Sequence, residues 1–264
     1  MRMTALLAWC GTFGVACNPL GRLGLLPSLP ESRAVADAVC DPQTCVNLPR
    51  VVEPGAPLSL WSVRFAGGKM KLPSDPSLDW FGLVVAGELD VEGCGTLGRY
   101  HAYRIPAGGA KLSGHADVVF GVVSDQPLDG RETTSAPSEP GPPSRCERVD
   151  LAALPDVRWG SGTSHARLAF RTGRAYFGLL YSEPGVNVPA HTNAREWEMV
   201  HVLRGSGEVL AADSLGPLVT GVSHGFAPGV RHGFNSNGTA PTIAVQMYTP
   251  PGPEQRFVEL AADD

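Results

Sequence analysis

Apolar residues along this chain come in short runs, and turn-forming residues cut the runs before a helix can develop. In the first half the runs fall at residues 58–65, 80–85, 100–105 and 118–123, punctuated by Gly, Pro and Asp. After residue 150 the pattern returns at 166–170, 175–182, 197–204, 207–211, 221–226 and 242–249. Between these lie Glu183-Pro184-Gly185, Gly205-Ser206-Gly207, Pro228-Gly229 and the Asn- and Gly-containing residues 235–238. Apolar runs of about four to eight residues bounded by such clusters read as strands joined by tight turns. The expected fold class is therefore all-β. One exception is expected near residues 31–39, where a single helical turn fits the pattern.

The runs divide into two groups. Residues 126–147 are rich in Pro, Ser and Thr and nearly devoid of large apolar side chains, which is linker composition. The segments on either side repeat each other. Val202-Leu203-Arg204-Gly205-Ser206-Gly207-Glu208-Val209 parallels Val84-Val85-Ala86-Gly87-Glu88-Leu89-Asp90-Val91, and Phe226-Ala227-Pro228-Gly229 parallels Ile105-Pro106-Ala107-Gly108. The spacing is too long for a solenoid unit and suits duplicated domains. Two tandem β domains are expected, at residues 49–125 and 148–256.

Ahead of them, residues 1–17 have the layout of an export signal. Arg2 supplies a positive start, residues 4–16 are apolar, and Gly14-Val15-Ala16 offers small residues before Cys17. Gly-Val-Ala-Cys resembles a bacterial lipobox, with Gly14 where Leu is usual, so Cys17 is the expected lipidation site. Residues 18–48 then read as an arm or stalk. Location in the bacterial cell envelope, as a periplasmic or outer-membrane lipoprotein, follows as an expectation. The cysteines suit it. Setting aside Cys10 and Cys17 leaves Cys40, Cys45, Cys94 and Cys146, enough for two bridges in an oxidising compartment. Three pairings are open. Cys40 with Cys45 is the local choice, across the turn at Asp41-Pro42, which leaves Cys94 with Cys146.

The formal net charge is −5 with no basic run, so nucleic acid is not an expected partner. Beyond the N-terminus no apolar stretch reaches the length of a membrane helix, so contact with a membrane is expected only through the lipid anchor.

Metal-ligand chemistry concentrates in the second half. His191 and Asn193 are two apart, so an extended backbone points both to one side. Glu198 follows after a short loop, and His232 must arrive from another strand. Imidazoles with a carboxylate suit a divalent transition ion: Fe, Mn, Zn or Ni. Glu196 takes the place of Glu198 if the intervening bulge differs. Gln246 and Tyr248 share a face of the last strand and either line the pocket or pack in the core. His224, two positions before Phe226, is a further pocket candidate. His201 alternates away from Val200 and Val202 and is expected at the surface.

Gly185-x5-His191-x-Asn193-x4-Glu198-x6-Gly205 resembles the first motif of the cupin superfamily, and Pro228-Gly229-x2-His232-x2-Asn235 is similar to the second, shortened by one residue on each side. The resemblance spans roughly residues 175–250. It implies a double-sheet jelly roll in which His191, Glu198 and His232 hold one metal. Asn193 stands where the family has a further His and is expected to complete the metal shell with waters or to bind substrate beside it. The first half resembles a cupin without a site: Pro73, Asp75 and Trp80 align with His191, Asn193 and Glu198, and Lys111 with His232. The chain is thus expected to be a two-cupin protein with a degenerate first copy. It would bind a divalent metal and a small organic molecule and act as a dioxygenase, lyase or isomerase. A non-catalytic envelope protein that binds a sugar or metabolite in the same pocket is the alternative, and a homodimer is a candidate assembly.

Overall fold

A computed structural model describes residues 38–40, 54–107, 109–128 and 145–263. The signal segment, Cys17, most of the arm and Cys45 lie outside the described residues. In chain order the strands of the first half are β1 (Ala38–Cys40), β2 (Leu58–Lys71), β3 (Leu78–Val91), β4 (Gly95–Gly98), β5 (His101–Pro106), β6 (Lys111–Ser124) and β7 (Glu147–Asp150). They form one sheet in the order β1-β2-β6-β3-β5-β7, with β4 paired to β3.

β2, β3 and β6 each run for 14 residues, longer than the apolar runs that announce them. One half of each is buried on both faces. In β2 this half is the continuous run starting at Leu58, and in β6 it is the run ending at Ser124. The other half alternates between buried and exposed. A strand covered on both sides reads as an unbroken apolar run, and one covered on one side alternates. The register slips between Ala66 and Lys69 on β2 and between Val84 and Ala86 on β3, and such bulges bend long strands. The bent sheet closes around a core that takes Trp61 and Met70 from one long strand, Trp80 and Val91 from the next, and Leu112 and Phe120 from the third. Trp61 stacks on Phe120 at 5.7 Å, and Tyr103 meets Phe120 edge-on at 6.3 Å. Aromatic side chains fill this interior. Trp80 is buried in this interior, and Lys111 is exposed beside Glu92.

Two elements depart from expectation. Ala38 and Val39 belong to a strand paired parallel to β2, not to a helical turn. Glu147–Asp150, which the sequence assigns to the end of the linker and the start of the second segment, is an edge strand of the first sheet paired to β5. A disulfide joins Cys94 to Cys146, just ahead of that strand.

The second half contains β8 (Val157–Trp159), β9 (Ser164–Arg171), β10 (Tyr176–Ser182), β11 (Asn187–His191), β12 (Trp197–Arg204), β13 (Ser206–Ala211), β14 (Ser214–Val219), β15 (Ser223–Phe226), β16 (His232–Asn235), β17 (Thr242–Thr249) and a closing helix α1 (Gln255–Asp263). A six-stranded sheet runs β15-β12-β17-β10-β9-β8 and a four-stranded sheet runs β11-β16-β13-β14. Gly205, which ends the first motif, has φ +106, and a Cβ there would lie 2.7 Å from the Cα of Thr242. The sharp turn from β12 to β13 thus requires glycine.

The two halves share a second core. Leu60, Phe81, Val119 and Val123 of the first sheet pack against Phe177, Met199, Val245 and Met247 of the six-stranded sheet. Phe81 stacks on Phe177 at 5.6 Å. His201 belongs to this interface. It is fully buried, against the expectation of a surface residue, and its Nδ1 lies 2.8 Å from the Ser223 hydroxyl. That hydroxyl donates to the carbonyl of Leu60 at 2.7 Å. Alternation correctly turns His201 away from the pocket; the first half, rather than water, covers that side. Arg174 closes the rim of the interface, pairing with Asp125 at 3.0 Å.

Candidate functional site

The inner faces of the two sheets of the second half enclose a cavity of about 710 Å³. Glu198 and Val200 of β12 and Gln246 and Tyr248 of β17 reach it from one sheet. His191, Val209, Leu218 and His232 reach it from the other. The register explains the convergence. Glu198 pairs across to Tyr248 and to Phe226, Val200 pairs to Gln246 and to His224, and His191 pairs to His232. Cross-strand partners in an antiparallel pair project to the same face. One row of the cavity wall is thus Phe226, Glu198 and Tyr248, and the next is His224, Val200 and Gln246.

His191, Glu198 and His232 offer ligand atoms that all lie within 4.8 Å of one another. The two imidazole rings are 4.4 Å apart, and His232 also stacks on Phe226 at 4.4 Å. Each histidine has its Nδ1 against a backbone carbonyl two residues upstream: His191 at 2.9 Å from Pro189, and His232 at 2.8 Å from Val230. A carbonyl accepts only, so in the neutral ring Nδ1 carries the proton and Nε2 keeps the lone pair a metal needs.

Glu198 is 4% exposed and is held on every side. Its Oε2 is 2.9 Å from Nε2 of His232 and accepts from Nδ2 of Asn193 at 2.9 Å; its Oε1 accepts from Nε2 of Gln246 at 2.8 Å. Gln246 also donates to the Tyr248 hydroxyl at 2.8 Å. Burial by itself would raise the Glu198 pKa. The hydrogen bond and charge of His232, the Gln246 amide and the charge of His191 outweigh it and hold the carboxyl below its ordinary value. Burial would likewise lower the His232 pKa, and Glu198 reverses that so the imidazole holds its proton more firmly than usual. Without a metal the two form a buried ion pair. Burial first, then the charge of Glu198, push the Tyr248 phenol far above its usual pKa, so it stays protonated.

The residue types fit a divalent ion: two imidazole Nε2 atoms and a carboxylate from three different strand ends, open on the cavity side. Buried polar atoms that lack a partner among the described residues point the same way. On the cavity wall they are Gln246 Oε1 and His224 Nε2. Each such orphan costs about 1–3 kcal/mol unless a ligand, ion or water meets it.

Asn193 is 1% exposed and sits behind the Glu198 carboxylate, not on the cavity wall. The extended backbone ends at His191, so Asn193 leaves the shared face the sequence assigns it and braces Glu198. Glu196 stays out of the cluster, its Oε2 accepting from the amide of Arg195 at 3.1 Å. His224 lines the cavity, and burial holds its pKa below the ordinary imidazole value. The sequence offers α1 no place, yet Arg256, Phe257 and Leu260 of that helix border the cavity. The charge of Arg256 opposes protonation of His232, so the two share one electrostatic environment.

No protein-family model matches the chain, and no curated protein sequence matches it. Solved structures do. An S161A variant of oxalate decarboxylase from Bacillus subtilis is 12% identical with a TM-score of 0.55, over 75% of this chain and 69% of that one. AerE from Microcystis aeruginosa is 12% identical with a TM-score of 0.52, over 77% of this chain and 97% of that one. A protein described as glyoxylate-induced, from Pseudomonas aeruginosa, is 14% identical with a TM-score of 0.52, over 77% and 83%. At these identities the likeness is one of fold. The chain has the all-β fold of the cupin barrels.

Proposed function

We propose that this protein is a cupin that binds one divalent transition metal through His191, Glu198 and His232 and acts on a small organic molecule in the adjoining cavity. The observation that carries the reading is the convergence of those three ligand atoms within 4.8 Å at the wall of a cavity of about 710 Å³. When bound, the ion supplies Lewis-acid polarisation of a substrate oxygen. The chain supplies the rest. The carbonyls of Pro189 and Val230 fix both tautomers, and Gln246 and Asn193 fix the carboxylate. The Tyr248 phenol keeps its proton beside Glu198, and Phe226, Val200, Val209 and Leu218 exclude water from the wall.

Metal analysis of the purified protein, offered Fe, Mn, Zn and Ni under anaerobic conditions, is expected to give one ion per chain. His191→Ala removes one of three ligands without exposing the core and is expected to leave less than about a tenth of that content. Wild-type protein that retains no metal would sink the enzymatic reading and leave non-catalytic binding in the same pocket.

The first half belongs to the same reading as a second copy that has lost its site, with Trp80 filling the place of Glu198. Export to the envelope is also proposed. Its supports are the layout of residues 1–17 and a Cys94–Cys146 bridge that suits an oxidising compartment. Cell fractionation of wild-type and Cys17→Ser protein is expected to move the chain from the membrane fraction to a soluble one. A wild-type chain found in the cytosol would overturn export.

A further inference from the structure

The cavity lining includes one cationic side chain that the metal reading does not use. After β17 the chain passes through Thr249-Pro250 and crosses the cavity mouth as α1. Pro253, Arg256, Phe257 and Leu260 all border the cavity, and their spacing puts them on one side of the helix and its lead-in turn. This segment is firmly seated. Phe257 stacks on Trp159 of β8 with ring centres 4.9 Å apart and planes 5° from parallel. Just upstream, Glu254 is 1% exposed; it accepts from Nε of Arg171 at 2.7 Å and from the amide of Gly252 at 2.7 Å. The position of Arg256 is therefore fixed by the buried Glu254 on one side and the half-buried Phe257–Trp159 stack on the other.

Arg256 is the one Lys or Arg among the residues that line the cavity, and its guanidinium has no carboxylate partner among the described residues. Glu198, the one carboxylate on the wall, is already committed to His232, Gln246 and Asn193. The remaining wall is mainly apolar, with Leu180, Val188, Leu218 and Phe226. A guanidinium fork at the mouth of such a cavity matches a carboxylate in geometry and charge.

We propose that the cavity takes a carboxylic acid with an apolar body, whose carboxylate pairs with Arg256 at the mouth while the body lies against the apolar wall. This names the substrate class for the pocket assigned above, and so rests on that pocket being the ligand site.

The test is titration calorimetry of the full-length protein with phenylacetate, 4-phenylbutyrate and octanoate, each against its primary amide. Wild type is expected to bind at least one acid about threefold or more tighter than its amide, the worth of one solvent-screened ion pair at an exposed guanidinium. Arg256→Gln is expected to bind acid and amide alike, and Arg256→Lys to recover part of the preference. Because Arg256 is exposed, neither variant disturbs the fold, and metal content is expected to match wild type. Equal binding of acid and amide by wild type, no binding of any acid, an acid preference that survives in Arg256→Gln, or loss of metal from that variant would each overturn the proposal. Metal content keeps the two readings apart. A metal-free wild type that still prefers the acid defeats the metal centre and leaves Arg256 as the acid's partner.

Discussion

His232→Ala is expected to destabilise the metal-free protein by about 3–5 kcal/mol near pH 6, because it leaves the Glu198 carboxylate buried without its ion partner. Both side chains are almost inaccessible to water, so solvent screens little of this. The pH dependence has two limbs. Glu198 has a depressed pKa in the fold, so its contribution is present above the unfolded carboxyl value of about 4.3 and is lost as pH falls through the folded value. His232 has a raised pKa, so its contribution is complete below the unfolded imidazole value of about 6.5 and is lost as pH rises through the folded one. The deficit of His232→Ala should thus be greatest between those two values and shrink on either side. Urea denaturation in chelator across this range measures it. Glu198→Gln in the His232→Ala background removes the stranded charge and should return part of the loss. A variant as stable as wild type at pH 6, with no coupling between the two sites, would show that the pair is not buried as described.

Opening the Cys94–Cys146 bridge is the second large effect. The two residues are 52 apart in sequence, and closing a loop of that size lowers unfolded-state entropy by an amount worth about 4 kcal/mol. The bridge packs against the first core and precedes β7, an edge strand with four pairings to β5, Val149 against the shared core and an exposed ion pair of Arg104 with Glu147 at 3.2 Å. Cys94→Ser with Cys146→Ser is expected to lower the melting temperature strongly in oxidising buffer. Under reducing conditions wild type should fall to the same value. Metal content and acid binding should not change in the folded double variant, since the cavity is built from the other two sheets. Equal melting temperatures for wild type and double variant would remove the bridge from the account of stability.

How legible each feature was depends on what decides it. The strand at Thr242–Thr249 and the run starting at Leu58 follow from apolar content alone, because both are buried on two faces. β14 carries no apolar signal: Leu215 is 70% exposed and Pro217 sits within the strand, so no apolar run marks it. His191, Glu198 and His232 are singled out by metal-ligating residue types and by the resemblance of their spacing to the two cupin motifs. The role of Asn193 could not, because whether it faces the cavity or braces Glu198 depends on where the strand stops. Gln246 was equally open between core and pocket, and its bond to Glu198 places it at the carboxylate. Arg256 gave no local signal; its importance arises from the path of the chain after Pro250.

The all-β class is legible along the chain because apolar runs of strand length alternate with turn residues, which local backbone geometry converts directly into strands. His191, Glu198 and His232 are legible through their likeness to a spaced motif, although His232 reaches the site from a strand distant in the chain. Tertiary packing sets His201 in the interior, Glu147–Asp150 in the first sheet and Arg256 at the cavity mouth. Those outcomes depend on which surface covers another, and burial between segments distant in the chain leaves no mark in the spacing of residues along either one.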